Sequence, residues 1–475
     1  IWFGASNRNL VNDVIVNGYG GNGNRGGSFR IGTNSTALSN LVISGNINAN
    51  LADAHFGSDS TADGTALLLS GKLTGNSGFR FFISANNSKW TTTLNNATSS
   101  PNDYAGNTSL AGAQTTLALG AAQQIPNGTG KGNVAITNGT LDLAGFDETI
   151  NGLTGAGIVD NVANGTSNTL TLGDGDATGT SFTGVIKNTT GTLSLTKIGT
   201  GTQTLTGLNS YSGPTTVSDG TLLINGDQSE ASGTVQVNSG TLGGIGKIGG
   251  AVNIASDGTL APGTVGGIGS LTINSNINIA GTLACDVDNT STDALEVLGD
   301  LVLTNGTLEI NEITPATPGT YIIATYTGSR TGTLGGNLPS GYSVTYDDAN
   351  QEVELVVAAA SGYTTWATTN TVTEGENGDD DKDGITNLVE YALGLNPKLA
   401  NPSPGTLTGN LLSFTKGAEA AAAADVTYAI ETSATLAPES WVTVTPDTND
   451  SSIISYTLPT GVGGKNFARL KISKP

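Results

Sequence analysis

The chain has 475 residues, of which 69 are glycine and only 12% are charged. Its 18 basic and 39 acidic side chains give a net charge of −21, which repels phosphate backbones and argues against nucleic acid as a partner. No apolar stretch approaches the roughly 20 residues that span a bilayer, so we expect no membrane insertion. Disorder is also disfavoured, because the hydrophobic residues, 36% of the chain, recur in short alternating runs.

A Gly-Thr-Leu tripeptide recurs through most of the chain and opens segments that alternate apolar and polar residues. From Gly191 onward its copies are about 18 to 29 residues apart, a spacing typical of solenoid proteins. One coil of such a repeat cannot bury its apolar face alone, so neighbouring coils must stack. We therefore predict a parallel β-solenoid over residues 1–357. The tripeptide begins at Gly139, Gly191, Gly220, Gly240, Gly258, Gly281, Gly306 and Gly332.

Two features within this region stand out from the repeat. Cys285 lies in an alternating run and has no cysteine partner in the chain, so we interpret it as a buried small hydrophobe. Residues 319–357 lack the coil rhythm and contain Pro339, which predicts a cap that closes the solenoid and blocks edge pairing.

The composition changes after residue 357, and three further segments are predicted. Residues 358–378 are interpreted as a linker. Residues 379–397 hold a calcium loop and a helix over 385–395, ended by Gly394 and Pro397. Residues 398–475 carry five strand-like runs and predict a small β-sandwich, with the Ala-rich tract at 419–424 as a loop or a single turn.

The calcium loop is the strongest chemical motif. Acidic residues at its first, third and fifth positions, glycine at the sixth and glutamate at the twelfth match the calcium-loop pattern. We expect a structural Ca²⁺ that stiffens this part of the chain, since extracellular calcium saturates even weak sites. The alternative is a solvated acidic linker, and neighbouring Asp380, Glu374 and Glu376 have a supporting role or are merely solvated. The expected ligands are Asp379, Asp381, Asp383, the carbonyl of Ile385, Asn387 directly or through water, and Glu390.

Residues 191–226 resemble the autotransporter-associated β-strand repeat, a passenger-domain repeat of bacterial surface and secreted proteins. Residues 117–157 resemble the alternate coil of that family, and residues 260–263 carry a third matching stretch. The resemblance implies a right-handed parallel β-helix at the cell exterior and implies no activity. The ending, with residues 387–394 and 467–471, looks like the C-terminal region of similar secreted repeat proteins.

Catalysis is not expected, although polysaccharide-degrading enzymes use the same architecture. His55 is the one histidine, and a lone histidine is more often structural. The paired carboxylates at Asp347–Asp348 and at Asp174 and Asp176 look like turn formers.

A sugar-stacking platform is also a weak candidate, because its aromatic residues are scattered. These aromatic residues are Trp2, Tyr19, Trp90, Tyr104 and Tyr211.

These patterns favour an extracellular structural protein, a rigid shaft that forms or decorates a surface fibre or layer. Its expected partners are copies of itself, joined end to end or laterally, or components of the cell surface. The alternative is an adhesin that binds a surface or glycans, and a glycan-degrading enzyme is the third hypothesis. The chain lacks a starting Met and a signal peptide, so we expect a processed or truncated secreted product.

Overall fold

The computed structural model describes residues 1–3, 5–17, 29–31, 41–58, 63–83, 89–96, 99–339, 341–358, 362–459 and 466–474. They form two compact units, Ile1–Val357 and Ala358–Pro475, called here the solenoid unit and the C-terminal module. Among the described residues, no helix is long and apolar enough to cross a membrane.

Short strands, most with alternating burial, make up the solenoid unit, together with one 3-10 turn at Asp174–Asp176. Its first strands are β1 (Trp2–Phe3), β2 (Arg8–Leu10), β3 (Val14–Val16), β4 (Phe29–Ile31), β5 (Leu41–Ile43), β6 (Ile47–Ala49), β7 (Ala54–Ser58), β8 (Thr65–Leu69), β9 (Leu73–Thr74), β10 (Phe79–Ile83), β11 (Trp90–Leu94), β12 (Thr108–Ala111), β13 (Thr115–Leu119), β14 (Val134–Ile136), β15 (Thr140–Asp142), β16 (Glu148–Ile150), β17 (Leu153–Gly155), β18 (Ile158–Asp160), β19 (Ser167–Leu172), β20 (Thr180–Phe182) and β21 (Val185–Ile186). The following strands are β22 (Thr192–Lys197), β23 (Thr202–Leu205), β24 (Thr215–Val217), β25 (Thr221–Ile224), β26 (Asp227–Gln228), β27 (Val235–Gly244), β28 (Lys247–Ile248), β29 (Val252–Pro262), β30 (Ser270–Ile273), β31 (Ile277–Ile279), β32 (Thr282–Val287), β33 (Ala294–Val297), β34 (Leu301–Leu303), β35 (Thr307–Glu312), β36 (Gly319–Tyr326), β37 (Arg330–Gly332), β38 (Tyr342–Asp347) and β39 (Glu352–Val357).

The strands are arranged on three faces, which the chain visits in the order A, B, C, although some coils have no strand on one of the faces. Each strand pairs in parallel with the equivalent strand of the neighbouring coil. β27 and β29 are long because each turns a corner and contributes to two faces. Face A consists of β1, β4, β7, β10, β12, β14, β17, β20, β23, β25, β27, β29, β32 and β35. Face B consists of β2, β5, β8, β11, β13, β15, β18 and β21, followed by β26, β28, β30, β33 and β36. Face C consists of β3, β6 and β9, followed by β16, β19, β22, β24, β27, β29, β31, β34 and β37.

One continuous apolar cluster fills the interior of the coils. In β22 the side chains alternate between buried and half-buried, and Leu193 and Leu195 point inward with no exposed surface. Near the first coils the inward residues are aromatic, and the ring of Phe56 stacks on Phe29 at 4.7 Å and on Phe81 at 5.4 Å. Cys285 is buried in the same core, as predicted. The predicted parallel β-solenoid is confirmed.

The same side-chain motif occurs next to the last strand of two of the sheets. β9 ends a sheet on face C, and the Asn102 side-chain oxygen accepts the Leu73 N–H at 2.8 Å. β21 ends a sheet on face B, and Asn209 accepts the Ile186 N–H in the same way at 2.7 Å. We call the two segments 102–108 and 209–215 the Asn-Tyr corners, since each continues with a buried tyrosine and a threonine.

In both Asn-Tyr corners the tyrosine hydroxyl is hydrogen-bonded to the threonine four residues on. The two oxygens are 2.6 Å apart for Tyr104 and Thr108, and 2.7 Å apart for Tyr211 and Thr215. These tyrosines and Trp90 are buried, so the sugar-stacking role considered for them is wrong. A buried aromatic ring adds apolar contact while its hydroxyl finds a partner. Tyr19 lies outside the described residues.

The solenoid unit ends in antiparallel strands within residues 319–357, where the cap is predicted, and their order in the sheet is β36-β39-β38. β36 pairs in parallel with β33 on one side and antiparallel with β39 on the other, and β38 continues the sheet. Arg330 pairs with Asp348 at 2.8 Å and packs over the Tyr346 ring. This change of strand direction ends the parallel stacking on face B.

The described residues of the C-terminal module form two small antiparallel sheets and three helices, with a 3-10 turn at Pro438–Ser440. The sheets have the orders β40-β41-β45-β44 and β43-β42-β46 and share a core that includes Phe414, Ile430 and Ile454. The elements are α1 (Gly362–Thr369), α2 (Asn387–Leu393), β40 (Gly405–Thr408), β41 (Leu411–Thr415), α3 (Ala418–Ala423), β42 (Thr427–Ser433), β43 (Val442–Val444), β44 (Thr448–Asn449), β45 (Ile453–Thr457) and β46 (Phe467–Ser473).

The helices correct three predictions. The predicted linker 358–378 contains α1, whose Tyr363 and Trp366 are buried against Tyr391 of α2. The helix predicted over 385–395 spans only Asn387–Leu393, with Thr386 at its N-cap, and Gly394, predicted to end it, does so in a left-handed conformation at φ 67°. The Ala-rich tract, predicted as a loop or a single turn, forms the six-residue helix α3, since alanine has the highest helix propensity and Ala420 packs into the core.

Candidate metal centre

The loop that precedes α2 brings three carboxylates together. Oxygen atoms of Asp379, Asp381 and Asp383 all lie within 4.8 Å of one another, and all three side chains are partly buried. Gly384 allows this because its φ of 95° turns the chain sharply between the last aspartate and α2. The structure thus groups three of the predicted ligands.

Backbone N–H groups hold these carboxylates in place. Asp379 accepts the N–H of Lys382 at 2.7 Å and of Gly384 at 2.8 Å, so it organises the turn that it begins. Asp383 accepts the N–H of Ile385 at 2.8 Å. The second oxygen of Asp381 is buried and has no hydrogen-bond partner among the described residues.

Glu390, in the first turn of α2, is not one of the carboxylates grouped within 4.8 Å, but it is near enough to the three aspartates to feel their charges. Its side chain has no exposed surface, and its Oε2 has no hydrogen-bond partner in the part of the chain that the structure describes. Burial, together with the negative charges of Asp381, Asp383 and Asp379, raises the pKa of Glu390 to about 7. A buried, unpartnered carboxylate oxygen beside three further carboxylates is a position that a cation would stabilise.

The structure places the predicted ligand Asn387 outside this cluster. Its amide nitrogen donates to the carbonyl of Gly375 at 2.7 Å and to Asp380 at 3.0 Å, and its oxygen accepts the Asp380 N–H at 3.3 Å. Both ends of the amide are therefore occupied. The backbone of Ile385 lies next to the cluster, and its carbonyl remains a predicted ligand.

Asp380 has a different role from the aspartates on either side of it. Its carboxylate accepts the N–H groups of Thr373 at 2.7 Å and Glu374 at 2.9 Å, and it pairs with Lys398 at 2.5 Å. The Lys398 ammonium is the largest cause that holds the pKa of Asp380 well below its usual range. Asp380 thus anchors residues 373–374 to the loop.

Sequence analysis missed Asn401. Its N–H donates to Asp383 Oδ2 at 2.5 Å, and its side-chain Nδ2 donates to Glu390 Oε1 at 2.9 Å. No calcium-loop pattern includes a residue this far beyond the glutamate, so the contact could be found only from the fold.

The residues considered for catalysis have structural partners. Asp348 pairs with Arg330, and Asp347 accepts the N–H groups of a turn at Ala349 and Asn350. Asp176 accepts the Thr200 N–H at 2.7 Å, and Asp174 accepts the N–H of Gly175 at 3.1 Å. Burial and the nearby Arg80 lower the pKa of His55. The absence of catalysis remains an expectation.

Comparison with known proteins supports the passenger-type repeat. The profile of the Passenger-associated-transport-repeat family matches residues 195–224. This segment lies within residues 191–226, and the predicted resemblance to autotransporter passenger repeats is confirmed there. A relative is the Adhesin BmaC autotransporter of Brucella suis biovar 1 (strain 1330), which is 39% identical over 213 residues. The match covers 42% of this chain, and the chain spans 6% of that protein.

Proposed function

We propose that this chain is a part of a surface-exposed, adhesin-type passenger, in which the solenoid unit is a rigid scaffold. The observation that carries the proposal is the 39% identity to an autotransporter adhesin over 213 residues. The parallel ladders support it, because every coil is hydrogen-bonded to its neighbours and the outer surface is polar. Such a scaffold holds surface side chains in fixed positions for contact with a target.

Adhesion of coated beads tests this proposal. Latex beads carrying the full chain are expected to attach to an epithelial monolayer several-fold more often than beads carrying an unrelated protein of similar acidity. Equal attachment would contradict the adhesin role. Ordered filaments of the purified chain in negative-stain electron microscopy, without bead attachment, would instead favour the predicted structural fibre.

We also propose that Asp379, Asp381, Asp383 and Glu390 bind Ca²⁺ in the C-terminal module. The site would supply about six oxygens, the lower end of the range that calcium prefers. They come from the three aspartates, from both oxygens of the glutamate and from the Ile385 carbonyl. The supporting observation is the buried and unpartnered Oε2 of Glu390. The ion would offset the repulsion among these carboxylates and tie the loop to α2.

Isothermal titration with CaCl₂ tests the site. We expect one site per chain, and Glu390→Gln is expected to weaken binding about 100-fold because it removes a charge and the bidentate geometry. Exposed Glu419 on α3 offers a matched control, and Glu419→Gln should bind as the unaltered chain does. Absence of binding, or equal affinity of the two variants, would refute the site.

A further inference from the structure

Residues 396–401 cross the metal loop, and we call them the strap. The strap is closed on itself, because the Lys398 N–H donates to the Asn396 side chain at 2.9 Å and the Asn401 side chain donates to the Asn396 carbonyl at 3.0 Å. Pro397 is buried, whereas Leu399 is 65% exposed. The strap contacts the loop through the polar groups of Lys398 and Asn401.

The strap contacts two groups of loop carboxylates with different chemistry. Lys398 places a full positive charge on Asp380, at 2.5 Å. Asn401 contributes only neutral donors, to Asp383 at 2.5 Å and to Glu390 at 2.9 Å. The Lys398 ammonium thus pairs with the carboxylate that lies outside the cluster, while the strap brings no positive charge to Asp383 or Glu390.

A neutral donor suits a carboxylate that must also bind a metal ion. Each carboxylate oxygen has two lone pairs, so Glu390 Oε1 can accept the Asn401 N–H and still face a cation. The hydrogen bond fixes the rotation of the carboxylate, and such partners of metal ligands commonly contribute 10-fold to 100-fold in affinity. Because Oε1 is held in this way, Oε2 remains directed to a position without a partner among the described residues.

We propose that Asn401 is the positioning residue of the calcium site, which holds Glu390 and Asp383 in place from outside the loop. This inference rests on the proposed calcium site. Asn401 is not itself a ligand in this arrangement.

The test measures calcium affinity and metal-free stability in the full chain. Asn401→Ala is expected to weaken calcium binding about 10-fold by titration calorimetry. Its melting temperature in EDTA should fall modestly, because the lost side chain also donates to the Asn396 carbonyl within the strap, so the loss of calcium affinity is the deciding readout. Asn401→Gln restores an amide donor and should recover part of the lost affinity. Asn377, which is exposed in the same loop, provides the control Asn377→Ala, with unchanged affinity.

The outcomes separate this inference from the calcium site itself. Calcium binding by the unaltered chain with equal affinity in Asn401→Ala would overturn the positioning role and leave the calcium site intact. A lower melting temperature in EDTA with unchanged affinity would show a merely structural asparagine and would also overturn it. No calcium binding by the unaltered chain would refute both. If Asn401→Ala does not fold, Asn401→Ser replaces it, since a serine side chain is too short to reach Glu390.

Discussion

The solenoid unit and the C-terminal module differ in the hydrogen bonding of their buried carboxyl groups. In the solenoid unit, Glu148 has no exposed surface, yet its two oxygens accept the N–H groups of Gln124 at 2.8 Å and Ile125 at 2.9 Å. In the C-terminal module, Glu390 is equally buried, but one of its oxygens has no partner among the described residues. Both oxygens of Glu148 are thus satisfied within the solenoid unit, whereas the unpartnered oxygen of Glu390 supports the proposed cation site in the module.

Stability is also distributed differently in the two units. Each coil of a solenoid contacts only its neighbours, so the free energy of unfolding is spread over many similar interfaces. The module concentrates polar contacts in the loop that precedes α2, where Asp380 alone ties residues 373–374 and Lys398 to the loop. A change at that loop should therefore affect the module and leave the coils unchanged.

Calcium removal should give the largest effect and the clearest separation of the units. At a calcium concentration of 100 times the dissociation constant, binding contributes about 2.7 kcal/mol to the unfolding free energy of the unit that holds the site. Differential scanning calorimetry with and without EDTA should show one transition that shifts and one that does not. If both transitions shift, or neither does, the assignment of calcium to the module alone is wrong.

Loss of the buried Lys197 ammonium should destabilise only the solenoid unit. Its Nζ donates to the carbonyls of Ile198 at 2.6 Å and Gly199 at 2.8 Å, and the side chain has no exposed surface. Lys197→Met leaves these partly buried carbonyls without the ammonium donor, at a cost of about 2 kcal/mol. The measurement is the solenoid transition in calorimetry, and Lys247→Met, at an exposed position, is the control. An equal effect of both variants would contradict the role of Lys197.

The fold could be predicted from the sequence because strand alternation and the Gly-Thr-Leu spacing are local signals. The acidic cluster was predictable for the same reason, since Asp379, Asp381, Asp383 and Glu390 occupy fixed offsets in one short segment. Asn401 was not, because its contact with Glu390 depends on how the chain turns back after α2.

Two of the incorrect predictions share a physical cause. The polar composition of a segment does not show that its aromatic side chains are buried. The segment that holds α1 is rich in threonine and reads as a linker, yet Trp366 packs on Tyr391 with ring centroids 5.5 Å apart. Tyr104 and Tyr211 stand among polar residues and read as surface aromatics. Each is buried because a threonine satisfies its hydroxyl, and that pairing spans four residues in a repeated motif.

Glu148 should make the stability of the solenoid unit depend on pH. Burial raises its pKa to about 8 in the folded chain, above the ordinary value of 4.5. Between these values the folded state holds a proton that the unfolded state releases, so the unfolding free energy falls as pH rises, by up to about 1.4 kcal/mol per pH unit.

Urea unfolding at a series of pH values between 5 and 8 measures this slope. Glu148→Gln cannot ionise and should show a shallower slope, although it is less stable at low pH because an amide offers only one acceptor to the two N–H groups. Part of the slope should remain, since burial also raises the pKa of Asp293, to about 6. Identical slopes for the variant and the unaltered chain would contradict a proton held by Glu148.

Changes in the Asn-Tyr corners should give the smallest effect. They test whether two hydrogen bonds with the same geometry contribute equally to the unfolding free energy. Tyr211→Phe removes the hydrogen bond to Thr215 and leaves the ring in the core, which should cost about 1 kcal/mol. Tyr104→Phe should cost the same, because its bond to Thr108 has the same spacing and burial. In a double-mutant cycle, Tyr211→Phe combined with Thr215→Val should cost less than the sum of the single changes, since both remove one bond. Additive costs, measured in urea, would mean that the two hydroxyls act independently and that the ring alone holds the corner.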